Sequence, residues 1–483
     1  MGKTEVKENE KQLDKVVTEK SERELAAERR NRRKKRRIRN QIMAYVTLVL
    51  VVAMVASGGF ITWNHFGSAP EVPTQEEVHS SVMQSQVEDL IEKEPEISKP
   101  EPTVEPEPEP TPQERLDEIV NAAIEVMPLE DKVAGLFIVT PEAITGVKTV
   151  VKAGEGTKTA LAEHPVGGLV YFEQNIKDSK QLMEMISNTN LYCKYPLFLA
   201  IDEEGGSVTR LAKKKLESNV GKAADIGATG DAANAYTASE AIASYMTKYG
   251  FNLNFAPVAD VKSVEKSVIG DRAYGSDSAV VGSMVASAVL GLENHGVSAC
   301  LKHFPGIGSS TEDTHKGQAV TYRTADEFRE IDFSAFQAGI ESGVDFIMIS
   351  HMAAPELTEN NLEPCVFSRK VVTDILRNEL GFEGVVITDA MNMKAISEYY
   401  DSAEAAIMAI KAGCDMILMP EDYKAAYAGV LQAVKEGMIS EERINDALRR
   451  IYRIKYAHMV ADINNVTTES EAVDDNDSAV ESE

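Results

Sequence analysis

Short runs of Val, Ile, Leu and Phe recur along the middle of the chain, separated by longer amphipathic stretches, the pattern of repeated βα units. Eight runs stand out: Leu136 to Thr140, Gly167 to Phe172, Leu197 to Ile201, Leu253 to Pro257, Val297 to His303, Phe346 to His351, Val385 to Thr388 and Met416 to Met419. Helical segments fall where such a repeat needs them, Pro112 to Val133 before the first run and Glu441 to His458 after the last. Eight parallel strands with helices between them close on themselves, so the predicted fold is α/β, a single (β/α)8 TIM-type barrel over about 113–461.

The flanks follow other patterns. A basic block from Arg29 to Arg39 precedes an uncharged apolar run from Ile42 to Trp63, long enough for a bilayer, which takes roughly 20 residues. Cationic flanks stay on the cytoplasmic side. The expected organisation is therefore a basic cytoplasmic segment (1–40), a transmembrane helix (41–63) and an exported remainder in a cell membrane protein with a single span. Nucleic-acid binding is the competing reading of the basic block, and the apolar run directly behind it favours topology over phosphate neutralisation, so no nucleic-acid partner is expected. Small residues Ala56, Ser57, Gly58 and Gly59 end the run and leave cleavage and secretion as the alternative. Residues 64–112 are rich in Pro and Glu and poor in core formers, a stiff, extended spacer; 462–483 form an acidic disordered tail.

The formal net charge of −27 lies almost wholly after residue 70, opposite in sign to the first forty residues. The four cysteines, Cys193, Cys300, Cys365 and Cys414, have no metal-ligand spacing; in an exported protein they are either two disulfides or buried thiols.

In a closed barrel the carboxyl ends of the strands carry the chemistry. The third run leads into Asp202-Glu203-Glu204-Gly205-Gly206, the fifth contains Lys302-His303, and the seventh leads into Asp389-Ala390-Met391-Asn392. Taken alone, an Asp closing a strand can equally cap the next helix. The loop from Phe304 to Thr321, rich in Gly and hydroxylic residues, suits a lid. Asp313 and His315 within it lie two apart, on one side of an extended stretch, where a carboxylate orients an imidazole.

Together Ile201 to Arg210, Gly270-Asp-Arg-Ala-Tyr-Gly275, Lys302-His-Phe-Pro-Gly306, Asp313-Thr-His315 and Ile387-Thr-Asp-Ala-Met-Asn-Met393 resemble glycoside hydrolase family 3, over the whole barrel and in order. Within it the chain looks most like the bacterial β-N-acetylglucosaminidases (β-hexosaminidases). That resemblance implies Asp389 as nucleophile, His315 as acid/base with Asp313 assisting, and Asp202, Arg210, Arg272, Lys302 and His303 as the residues holding the terminal sugar. For Lys302 and His303 a purely structural buried ion pair is the competing role. Two departures stand out: Gly306-Ile307-Gly308-Ser309-Ser310 replaces the usual Gly-His-Gly-Asp-Thr, and Asp202-Glu203-Glu204 the usual Asp-Gln-Glu.

The expected reaction is retaining hydrolysis of terminal β-linked N-acetylglucosamine, in cell-wall fragments or related oligosaccharides, with no metal and no organic cofactor. The alternatives are a β-glucosidase or β-xylosidase of the same family, or a surface sugar-binding protein without activity.

Overall fold

The computed structural model describes residues 111–358 and 362–457. The expected membrane-spanning helix, the linker and the acidic tail lie outside these residues. Among the described residues no helix is long and apolar enough to cross a membrane.

All eight expected runs contain a strand, and the strands are parallel and neighbours in sequence order. They are β1 (Phe137–Val139), β2 (Gly168–Val170), β3 (Phe198–Ile201), β4 (Leu253–Asn254), β5 (Ser298–Phe304), β6 (Phe346–Ile349), β7 (Val385–Thr388) and β8 (Ile417–Leu418). β8 pairs with β1, and an isolated parallel bridge between Ile387 and Met416 joins β7 to the start of β8, leaving a nearly closed barrel. β4 is shorter than its apolar run because Pro257 brings no N–H to the ladder; pairing with β5 resumes at the Val258–Lys302 bridge.

Every strand position is buried, as expected of a parallel sheet covered on both faces. Phe198 of β3 and Phe346 of β6 meet edge to face at 4.9 Å across the barrel. Lys455, on the helical run 441–457, sits over the Phe198 ring at 4.8 Å and donates to the Gly167 carbonyl at 2.8 Å, which fixes the last helix against the amino-terminal end of the barrel.

The first helical stretch is two helices, Pro112–Glu125 and Leu129–Ala134, instead of one. The first starts at a capping box between Thr111 and Glu114 and buries Leu116, Val120 and Ile124, four residues apart on one face. Pro128 interrupts it, having no N–H to continue the ladder. Of the two possibilities for the cysteines the thiols are realised: all four are free, with Cys300, Cys365 and Cys414 buried.

Candidate active site

The turn leaving β3 is built around a buried acid. Glu203 accepts hydrogen bonds from the backbone N–H groups of Arg210 at 2.7 Å and Leu211 at 3.1 Å, and from the Tyr245 hydroxyl at 3.2 Å. Asn254 of β4 binds the Glu203 backbone on both sides, accepting from its N–H and donating to its carbonyl. Gly205 then turns back with φ +94°, where a Cβ would meet the Gly221 carbonyl oxygen at 2.6 Å. The loop is thus fixed from below while Asp202 and Glu204, two apart, share the opposite side.

Those two carboxylates hold three cations. Lys302, 3% exposed, stands 3.2 Å from Asp202 and 2.6 Å from Glu204. Arg210 pairs with Asp202 at 2.9 Å and stacks over the Phe172 ring, and Arg272 pairs with Glu204. Burial pushes the Glu204 carboxyl up, but Lys302 and Arg272 more than reverse this and hold it at about 2. Burial likewise pulls on the Lys302 ammonium, and Glu204 and Asp202 keep it above its ordinary value, so it stays charged.

His303, the residue after Lys302, turns to another acid. Its Nδ1 lies 2.7 Å from Asp260, whose other oxygen accepts the Ile307 N–H at 2.7 Å. Asp260 therefore orients the imidazole and pins the first residues of the lid in one contact.

Asp389 closes β7, with its N–H donating to the Ile349 carbonyl at 3.0 Å. One of its carboxylate oxygens accepts the Ala390 N–H at 2.7 Å. Burial raises this carboxyl, while His351, His303, the Ala390 N–H and Lys302 together lower it below its ordinary value, so the acid is ionised at neutral pH.

Asp313 and His315 do meet, but through a turn and not an extended stretch. Lys316 N–H donates to the Asp313 carbonyl at 2.8 Å, and the Asp313 side chain accepts from the His315 N–H at 2.9 Å, with His315 Nδ1 3.0 Å away. Asp side chains make such turns by bonding the backbone two residues on. The three departures in the lid each have a local partner. Ile307 packs on Val258, Ile269 and Ala273; Ser309 bonds Thr321 at 2.8 Å; Ser310 accepts the Glu312 N–H at 3.1 Å.

The expected residues converge. Arg272, His303, Asp313, His315 and Asp389 line one cavity of about 430 Å³, counted to its open mouth, with Val268, Ile307 and Met352 among its apolar walls. Asp202, Arg210 and Lys302 adjoin it through Glu204 and Arg272. Lys302 and His303 are both buried and partnered, though by separate acids, Lys302 by Glu204 and Asp202 and His303 by Asp260, and His303 also faces the cavity. Three further groups shape the site: Glu204 within the motif after β3, Asp260 beyond the end of the β4 run, and His351 at the close of the sixth run, where a polar side chain is itself a signal.

Residues 128–454 match the family model described as Glycosyl hydrolase family 3 N terminal domain. The chain is 36% identical over 266 residues to a beta-hexosaminidase of Stenotrophomonas maltophilia, covering 54% of this chain and 77% of that protein. It is 31% identical over 327 residues to Beta-hexosaminidase A of Pseudoalteromonas piscicida, 61% of this chain and only about half, 54%, of that relative's length. Among solved structures, a glycoside hydrolase family 3 beta-N-acetylglucosaminidase from Paenibacillus sp. str. FPU-7 superposes with a TM-score of 0.65 at 34% identity, covering 70% of this chain and 64% of that one. With the parallel barrel, the acids at its strand ends and a family match running through all eight strands, the chain belongs to glycoside hydrolase family 3.

Proposed function

We propose that this chain removes terminal β-linked N-acetylglucosamine by a retaining mechanism, with Asp389 as nucleophile and His315 as acid/base. The observation that carries the reading is that Asp389, Asp313 and His315 line one cavity with Arg272 and His303. Retention requires one group to attack the anomeric carbon and a second to protonate the leaving oxygen, then to activate water. Asp389 is ionised by its surroundings, and the oxygen not bonded to Ala390 attacks. His315 has Nδ1 directed to Asp313, so Nε2 handles the proton. Its side chain is 72% exposed, which gives water and leaving group access to it.

Asp202, Arg210, Arg272, Lys302 and His303 orient the sugar, and the fixed charges around Glu204 keep that network rigid as positive charge builds on the ring. The natural substrates on this reading are cell-wall fragments or related oligosaccharides, met outside the cytoplasm by a domain tethered through residues 41–63. The beta-hexosaminidase names of the relatives support the substrate class.

Asp389→Ala tests the reading. Hydrolysis of an aryl β-N-acetylglucosaminide should vanish with the fold intact by circular dichroism, and near-normal turnover in that variant would end the assignment.

A further inference from the structure

We propose that His351 is a positioning residue for the nucleophile: its imidazole holds residue 390 from the carbonyl side, while the N–H of the same residue holds the Asp389 carboxylate. The inference rests on Asp389 being the nucleophile.

Three observations support it. Ser350 and Met352 line the cavity, whereas His351 between them is buried and is not part of its lining. It therefore acts through another residue and does not meet substrate. Its Nε2 lies 3.0 Å from the Ala390 carbonyl oxygen. A carbonyl only accepts, so the proton must sit on Nε2, and the tautomer is set by geometry. The same carbonyl accepts the Met393 N–H at 3.0 Å, so two donors clamp the turn that follows the nucleophile.

The third observation is the other ring nitrogen. Nδ1 is buried with no hydrogen-bond partner among the described residues. An unpaired buried polar atom is unfavourable, and a leucine would fill the space without it, so packing alone does not account for an imidazole here. The bond given by Nε2 does. Burial also pulls the imidazole's pKa down, against the attraction of Asp389.

The chain Nε2–H to Ala390 carbonyl, then Ala390 N–H to Asp389 Oδ1 at 2.7 Å, restricts rotation of the attacking carboxylate. A group held this way loses little freedom when it reacts, and a small misplacement is costly in rate.

The test compares His351→Leu with His351→Gln, whose amide nitrogen reaches about where Nε2 stands. The probe is a 5-fluoro-β-N-acetylglucosaminyl fluoride. The Asp389 oxygen forms a bond to C1 as the C1–F bond breaks and fluoride departs, with no proton needed from His315. The readout is the rate of adduct formation on Asp389, by intact mass, per folded molecule counted by tryptic mapping and circular dichroism. His351→Leu should react on the order of 100-fold more slowly, and His351→Gln should recover most of the loss. Wild-type rate in the Leu variant overturns the proposal, as does a Gln variant that is no faster than Leu or fails to fold although the donor is kept. A wild-type chain that forms no adduct on Asp389 sinks the nucleophile assignment instead, so the two failures are distinguishable.

Discussion

The Arg272 guanidinium grips both oxygens of the Glu204 carboxylate, Nε at 2.8 Å and Nη2 at 2.7 Å, in the planar two-point contact that only arginine makes. Lys302 approaches the same carboxylate from the barrel interior at 2.6 Å. Glu204 thus joins a residue from the loop after β4 to one on β5, and it fixes where Arg272 enters the cavity.

Glu204→Gln should therefore destabilise the fold by about 3–5 kcal/mol, the cost of breaking a buried pair from one side, measured by urea unfolding at neutral pH. The pH dependence has a definite sign. A carboxyl held at about 2 against an ordinary 4.5 contributes stability above 4.5 that is lost as pH falls toward 2. The wild type should lose stability in that window and the Gln variant should lose less. Equal slopes in the two proteins would mean that Glu204 is not the group responsible.

His315 is exposed and, among the described residues, bonds within its own turn, so replacing it by alanine should leave unfolding within about 0.5 kcal/mol of wild type. Activity is another matter. Loss of a general acid costs roughly 10²- to 10⁴-fold where the leaving group is poor and little where it leaves unaided. The Brønsted slope over a series of aryl β-N-acetylglucosaminides should steepen in His315→Ala, and a uniform loss across the series would remove the acid role.

Much of this architecture was legible in the apolar runs, because parallel strands buried on both faces leave continuous hydrophobic segments that surface strands do not. The eight runs located eight strands, but their ends did not show: Pro257 cut β4 to two residues, and Pro128 split the first helix. The site was legible where motifs bunch in sequence, as at 202–210 and 387–393. It was not legible where a partner is distant. Asp260 meets His303 across 43 positions, and His351 meets Ala390 across 39. Parallel pairing of neighbouring strands, β4 with β5 and β6 with β7, brings those pairs together, and no local spacing encodes them.

Glu203, where the family commonly has glutamine, allows a last prediction. Its Oε2 accepts the Arg210 and Leu211 N–H groups and its Oε1 accepts the Tyr245 hydroxyl, all inside a site with no solvent exposure. Burial raises the carboxyl, only partly offset by these donors, so the acid binds its proton more readily folded than unfolded. The stability it confers is greatest at low pH and declines as pH rises through its folded value. Glutamine keeps an oxygen for the Arg210 and Leu211 N–H groups and presents its amide to the Tyr245 hydroxyl, which can turn to accept, giving up only the long 3.5 Å bond from the Ala212 N–H. Glu203→Gln should then be more stable than wild type at neutral pH, with the difference closing below about pH 4. Glu203→Ala should instead lose about 1–3 kcal/mol for each N–H left unpaired and should weaken sugar binding by freeing Arg210. Parallel urea titrations at pH 4 and pH 7 decide it: a Gln variant weaker than wild type at pH 7 would show that the ionised acid, with its four donors, is what the turn after β3 is built to hold.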